Sequence, residues 1–544
     1  MCIRDSAQTY PLAIALDEND PNKLFFTCGD KRSNYICISS DKGENITQKP
    51  LPCSVHGNEV GRATGDRLIY KNGRLYFGSQ TAGIIYSDDM GESWQSIELF
   101  GEKNISLIWT DSEGKLFIAG CSGEANSPDG VTRGHTLYCS TDGLKSFVPL
   151  TAPDPVKYEN SSYYGFVPQR ITSDSRYIYI TFASSGEVFY GGMGAYACDT
   201  GSLSGGKVYR YRIENGVPVF NKDITPADET PCGYSGICSN GKMLLLSTVC
   251  RKNGGDMIYT STDSGESWKI IMNRLEYSRF DWNIPYMKPR YNGGGNCVHW
   301  ISDIKLSPFD SDTALFNTGT GLFMITGLAS GDVLVKPFCE GIEETVHLNV
   351  YTTPHGRNRI IDIIGDLGGF AFEDYDSECE NSFANENGDR YITCLNADFT
   401  LQRPEYIAAT PRGNWTGKTK GGLILSKDCG STWERLPMPR GLSEFTDKKL
   451  DNIEKPNVDS GWTAISADGK RIMWAVAGGR GFSNKAVCYT DDEGKTWQKS
   501  IFTDSSGNSA DEHNVKIFSD YYNLSLIHIS EPTRHSLSAF KTAR

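Results

Sequence analysis

Asp366 sits in the stretch RIIDIIGDLGGFAFEDY, where an isoleucine-rich run leads into Asp-Leu-Gly-Gly-Phe. A carboxyl among apolar neighbours resists ionisation, because desolvation disfavours its charged form, and a carboxyl that keeps its proton can act as a general acid. Gly368 and Gly369 allow backbone or substrate to come close. The same residues also spell a plain turn between strands, with Asp366 capping local N–H groups. Read alone, the turn is the simpler account. Six further aspartates, Asp41, Asp89, Asp142, Asp263, Asp428 and Asp492, recur in one fixed setting. Catalysis or metal binding would require such carboxylates to converge on a point.

That setting is Ser/Thr-x-Asp-x-Gly-x-Ser/Thr-Trp, at Ser87 to Trp94, Ser261 to Trp268, Ser426 to Trp433 and Thr490 to Trp497, with degraded copies from Ser39 and Ser140. The six aspartates are separated by 48, 53, 121, 165 and 64 residues, near whole multiples of a unit of roughly 50, the length of a propeller blade. Between the copies the chain alternates apolar and polar residues about Gly turns, as in RLIYKNGRLYFGS, and no amphipathic helix of three turns is visible. The chain reads as all-β. About ten units are more than one propeller of 4–8 blades holds, so two propellers in tandem are expected. One box per blade spreads the aspartates around a ring, so they read as scaffold: Asp to cap the turn, Gly for its backbone, Trp to pack.

Composition limits the rest. A chain of 544 residues exceeds one ordinary core. A net charge of −13 argues against phosphate-backbone ligands, and no apolar run reaches the ~20 residues of a membrane span. The sixteen cysteines are scattered without zinc-ligand spacing, the eight histidines form no metal pattern, and no cofactor loop is present. The cysteines read mainly as buried free thiols.

The ordered set GRATGDRLIYKNGRLYFGS, CGYSGI, WISDIKLSPFDSDTALFNTGTGLF, GIEETV and IIGDLGGF, interleaved with the boxes, resembles glycoside hydrolase family 74, the xyloglucanases. The resemblance runs from about Tyr10 to about Tyr522. It implies two seven-bladed propellers with a cleft between them, cleaving the β-1,4-glucan backbone of xyloglucan with inversion. It makes Asp366 the general acid and places the partner base in a matching motif of the first blade. This chain has no second Asp-x-Gly-Gly, so no base is assigned. The implied partner is a polysaccharide or oligosaccharide, with no nucleic acid, membrane, metal or cofactor, for a monomer of secreted type. Ring platforms in such a cleft would be aromatic: Trp282, Trp300 and Trp415 in or beside loops, then Tyr163, Tyr164 and Tyr234. Trp109 and Trp474 lie inside strands and read as core. Lys252 and Asn253 stand where long-chain-cleaving members carry a Trp pair, which argues against processive action.

Residues 1–6 and 525–544 depart from the repeat rhythm and are expected to fall outside the fold. Residues 7–338 are expected to form a first propeller lacking its first blade, and 339–524 a second, truncated one. Two other readings fit an Asp-box propeller. A sialidase needs an arginine triad and a Tyr/Glu pair that are not recognisable here. A protein-binding propeller of sortilin or assembly-factor type has no use for the Asp-Leu-Gly-Gly turn.

Overall fold

The computed structural model describes residues 10–29, 33–55, 65–79, 81–101, 103–121, 137–150, 166–184, 205–227, 230, 232–251, 255–273, 279–288, 298–342, 345–378, 382–456, 458–476, 486–501, 506, 516–520, 527–530 and 541–542. Among them the strands form ten antiparallel sheets. Eight are four-stranded meanders, each keeping its strands in chain order, as propeller blades do. The longest described α-helix is the single turn Leu450–Ile453.

The chain divides into two compact units, Met1–Trp282 with Asn296–Gly341, and Asn283–Gly295 with Ile342–Arg544. Unit 1 holds six sheets, whose first strands are Tyr10–Asp17, Leu68–Lys71, Ile105–Thr110, Val167–Ser173, Gly233–Ser239 and Asp303–Leu306. Unit 2 holds four, beginning with Val346–Thr352, Cys394–Phe399, Gly461–Ile465 and Lys516–Ser519.

Within each unit every sheet lays its apolar face on the next. Phe25, Ile36 and Ile38 of the first sheet pack on Leu75, Phe77 and Ile85 of the second. Leu107, Ile118 and Cys139 of the third meet Ile178, Ile180 and Phe182 of the fourth. In unit 2, Ile361 and Ile363 pack on Ala397, Phe399 and Ile407, while Ala408 and Leu425 pack on Ile465, Ile472 and Trp474. Alternate residues of a strand point to opposite faces, so a blade between two others buries both. Ile472–Val476 is buried throughout its length.

Two boundaries differ from expectation. The segment from Asn283 leaves unit 1 and joins unit 2, where Tyr286 packs on Ile364, Leu367 and Phe370 and Lys288 Nζ donates to Glu378 Oε1 at 2.7 Å. The tail from residue 525, expected outside the fold, supplies two strands. Ile527–Ser530 pairs with Lys516–Ser519, and Lys541–Thr542 pairs in turn with Ile527–Ser530. An open strand edge offers its N–H and C=O groups to any segment of β-forming residues, and SLIHIS is one.

Twelve described cysteines are free thiols, and all but Cys53 are buried.

Candidate functional site

The six box aspartates share one geometry. In the second sheet, Ser87 Oγ donates to Asp89 Oδ1 at 2.8 Å and accepts the Gly91 N–H at 2.7 Å. Asp89 Oδ1 takes the Ser93 N–H at 2.9 Å, and its Oδ2 takes the Ser93 hydroxyl. The pattern returns at Asp263, Asp428 and Asp492, and also in the degraded copies at Asp41 and Asp142. The Ser93 hydroxyl and N–H hold Asp89 at a pKa of about 2. A carboxylate held ionised in this way has no proton to give near neutral pH, and its position is fixed by its own turn. The box tryptophans turn inward: Trp433 is buried against Phe383, and its indole N–H donates to Gly430 O at 3.1 Å.

Topology separates these boxes from Asp366. Each box joins the third and fourth strands of its sheet. Asp366 and Leu367 instead join the second and third strands, Ile360–Gly365 and Gly368–Phe372, at the opposite end of the blade. Asp366 takes a left-handed backbone, φ 63°, and its N–H donates to Thr393 Oγ1 at 2.9 Å. Its carboxylate accepts no hydrogen bond from the described residues, so it does not cap its own turn. It is exposed, not sunk among the isoleucines as the sequence suggested. Ile364, Leu367 and Phe370 form an apolar floor beside it.

The two glycines serve backbone packing. A Cβ on Gly368, whose φ is 82°, would stand 2.7 Å from Tyr391 O. One on Gly369 would stand 2.8 Å from both Asp362 O and the Phe383 ring. The segment from Ser382 to Thr393 therefore lies directly against the hairpin, with bridges Phe370–Ser382 and Gly368–Thr393.

The same segment brings Trp415 to this end of unit 2. Arg412 N–H donates to Thr393 O at 2.7 Å, and Asn414 Nδ2 donates to Arg390 O at 3.1 Å. Trp415 is 69% exposed on the loop thus anchored, free to offer a ring face. The other aromatic candidates fare differently. Trp282 is half-buried, stacked on Phe280 at 4.8 Å and edge-on to Phe323. Trp300 packs on Val167, Ala183, Val249 and Cys250. Tyr234 is a core residue and no ring platform: it is buried on an inner strand among Tyr179, Ile237 and Leu246, where alternation points it into the interface between blades. Tyr163, Tyr164, Lys252 and Asn253 lie outside the described residues.

The sequence reading missed a hydrogen-bonded trio beside Asp366. Asp362, buried on Ile360–Gly365, lies 2.9 Å through Oδ2 from His347 Nδ1, and His347 Nε2 lies 2.6 Å from Thr345 Oγ1. Burial pushes the Asp362 carboxyl up, opposed by the bond from His347. A lone Asp inside an isoleucine run was the available signal. Unit 1 holds a second such carboxylate, Asp256, fully buried and accepting from Thr248 Oγ1, Arg251 N–H and Ile301 N–H. Among the described residues no cluster of three or more His, Cys, Asp or Glu could hold a metal ion, and no helix is long and apolar enough to cross a membrane.

Meandering sheets with Asp-boxes on the turns between third and fourth strands, and a carboxylate on the second-to-third-strand turn of a three-stranded sheet, define an Asp-box β-propeller protein. No family model matches the chain. It is 23% identical over 545 residues to a xyloglucanase of Paenibacillus sp, covering 90% of this chain and 48% of that protein. It is 25% identical over 529 residues to an oligoxyloglucan-reducing end-specific xyloglucanase of Emericella nidulans, covering 86% and 62%. The chain thus spans about half to three-fifths of the length of these relatives. Its fold matches the family 74 xyloglucanase of Xanthomonas campestris with a TM-score of 0.71 at 20% identity, covering 95% of this chain and 69% of that one. A family 74 enzyme of Niastella koreensis matches with a TM-score of 0.73 at 20% identity, covering 96% and 69%. The chain is similar to xyloglucanases of glycoside hydrolase family 74, the family that its ordered motifs resemble.

Proposed function

We propose that this chain is the greater part of the catalytic body of a glycoside hydrolase that cleaves the β-1,4-glucan backbone of xyloglucan with inversion, Asp366 being the general acid. The observation that carries the reading is Asp366 itself: a carboxylate at the end of the blade opposite the boxes, on a left-handed turn, with no hydrogen bond of its own among the described residues. A general acid has to present its proton outward to a glycosidic oxygen, and a group engaged in capping cannot. Trp415, fixed to the same segment as Asp366, suits the apolar face of a pyranose ring. An inverting pair stands ~6.5–9.5 Å apart so that a water fits between. The base belongs on a second carboxylate, to which no residue of this chain is assigned. Secretion suits an enzyme whose substrate is a polysaccharide.

The test is hydrolysis of xyloglucan by a protein containing this chain together with the blade that carries the base. Asp366→Asn should lower kcat by ~10²–10⁴ with the melting temperature unchanged. Asp263→Asn, in a box, should lower the melting temperature and leave kcat of the folded fraction near that of the parent. Equal loss of activity at equal stability in the two variants would end the division into site and scaffold. A polymer degraded with anomeric retention would end the inverting assignment.

A further inference from the structure

Thr393 is bonded both to the turn that carries Asp366 and to the loop that carries Trp415. The ladder between Ile360–Gly365 and Gly368–Phe372 ends at Ile364 and Gly368, so the Asp366 N–H lies beyond its last pair. That N–H donates to Thr393 Oγ1 at 2.9 Å, across 27 positions of sequence, and Thr393 is 3% exposed. Next to this bond, the Gly368 N–H donates to Ile392 O at 3.0 Å, and Gly368 and Thr393 form a parallel bridge. The Thr393 carbonyl has a different partner, the Arg412 N–H at 2.7 Å, where the Trp415 loop leaves Ile407–Pro411. Asp389 O and Arg390 O hold the same loop, accepting from Thr419 Oγ1 at 2.9 Å and Asn414 Nδ2 at 3.1 Å.

We propose that Thr393 is a positioning residue for Asp366, its hydroxyl fixing the turn from which the carboxyl departs. The inference rests on the reading of Asp366 as the acid. The left-handed φ of 63° is uncommon for a residue with a Cβ and persists where neighbours hold it. Because the bond is to the main chain, it sets the direction of the Asp366 side chain in either protonation state. Transfer of the Asp366 proton to a glycosidic oxygen requires hydrogen-bond reach, and a displacement of about 1 Å can cost ~10²-fold in rate. Serine supplies the same acceptor oxygen, whereas valine keeps the shape of threonine and supplies none. The Trp415 loop hangs from the Thr393 carbonyl, which every substitution retains. Loss of the hydroxyl therefore loosens the acid and leaves the ring platform in place, so kcat falls and KM does not.

The experiment has two arms. Amide hydrogen exchange of the 544-residue chain reads the bond without any chemistry. The Asp366 N–H should exchange on the order of 10-fold faster in Thr393→Val than in the parent, and Thr393→Ser should restore its protection. Kinetics use a protein containing this chain together with the blade that carries the base. The substrates are xyloglucan and an aryl glycoside of a xyloglucan oligosaccharide, whose phenolate leaves without a proton. Thr393→Val should lower kcat on xyloglucan by ~10–10²-fold at unchanged KM and far less on the aryl glycoside, and Thr393→Ser should recover it. Thr393→Cys, of similar size but with a weak acceptor, serves the same comparison if Thr393→Val does not fold. Thr463→Val is the control for a purely structural loss. The Thr463 hydroxyl, 1% exposed in the same unit, donates to Met473 O at 2.9 Å, and its removal should lower the melting temperature and leave kcat unchanged.

Unchanged Asp366 exchange in folded Thr393→Val overturns the proposal. So does a parental kcat, or an equal loss on the two substrates, and where Asp366→Asn is inactive on xyloglucan the acid reading then stands without it. Full activity of Asp366→Asn on xyloglucan instead removes the acid reading, and the positioning role with it.

Discussion

Lys305 donates to Asp66, Nζ to Oδ2 at 3.3 Å, across 239 positions of sequence. Asp66 directly precedes the inner strand region of the second sheet of unit 1, and Lys305 lies on the first strand of the sixth. Arg170, on the first strand of the fourth, completes the group, with its Nε 3.4 Å from Asp303 and 3.7 Å from Asp66. Three blades are thus tied through charges on or just before their first strands. Burial would push the Asp66 carboxyl up, but Lys305 and Arg170 overcome it and hold it at about 2.

The two cations of this group should not be equivalent. Arg170 is 9% exposed and Lys305 52%. Removing a buried partner leaves carboxylates uncompensated and costs ~3–5 kcal/mol, whereas an exposed pair contributes ~0–1. Arg170→Met should therefore destabilise unit 1 several-fold more than Lys305→Met in urea unfolding. Because the Asp66 pKa is depressed, its contribution is present above its ordinary value and lost as pH falls from about 4 through about 2. Equal costs for the two variants would contradict this assignment.

Asp256 should act in the opposite direction. Burial pushes it up to about 6, against the bonds from Arg251, Ile301 and Thr248. A carboxyl raised above its unfolded value favours the fold fully below about 4, and that contribution is lost as pH rises through about 6. The stability of Asp256→Asn relative to the parent should therefore improve between pH 4.5 and 7.5, a window of ~2–3 kcal/mol at most. Denaturant unfolding at the two pH values measures it, and a parallel pH dependence in both proteins would show that Asp256 does not titrate there.

Gly368→Ala should cost unit 2 ~1–3 kcal/mol, since it strains the left-handed φ of 82° and sets a methyl 2.7 Å from Tyr391 O. Gly388→Ala makes a useful control. Its φ is 77° with open space around it, so it carries the backbone strain without the clash. Melting temperatures of the pair separate the two effects; identical values would mean that the Tyr391 segment yields.

Much of this molecule is written in local pattern. The boxes are legible because the turn bonds of their Ser/Thr and Asp side chains lie within five residues, so Ser87, Asp89, Gly91 and Ser93 make the same bonds wherever the eight-residue word appears. Strand alternation about Gly turns likewise specifies all-β meanders before any sheet is seen. Asp366 was visible as a residue, but its circumstances were not. Its exposure, its bond to Thr393 and the use of Gly368 and Gly369 against Tyr391 and Phe383 all depend on residues 14 to 27 positions away. Tyr234 shows the same limit from the other side, since only the blade packed against it makes it core. The joining of Asn283–Gly295 to the second unit and the Lys305–Asp66 tie have no local signature at all, and the Thr345–His347–Asp362 chain shows only as a lone Asp in an isoleucine run. The sequence by itself determined the blade and its turn, because hydrogen bonds over a few residues and a period of two are local physics. The tertiary structure decided which carboxylates are spent and which is free, because burial and charge pairing are properties of neighbours that the chain brings together only on folding.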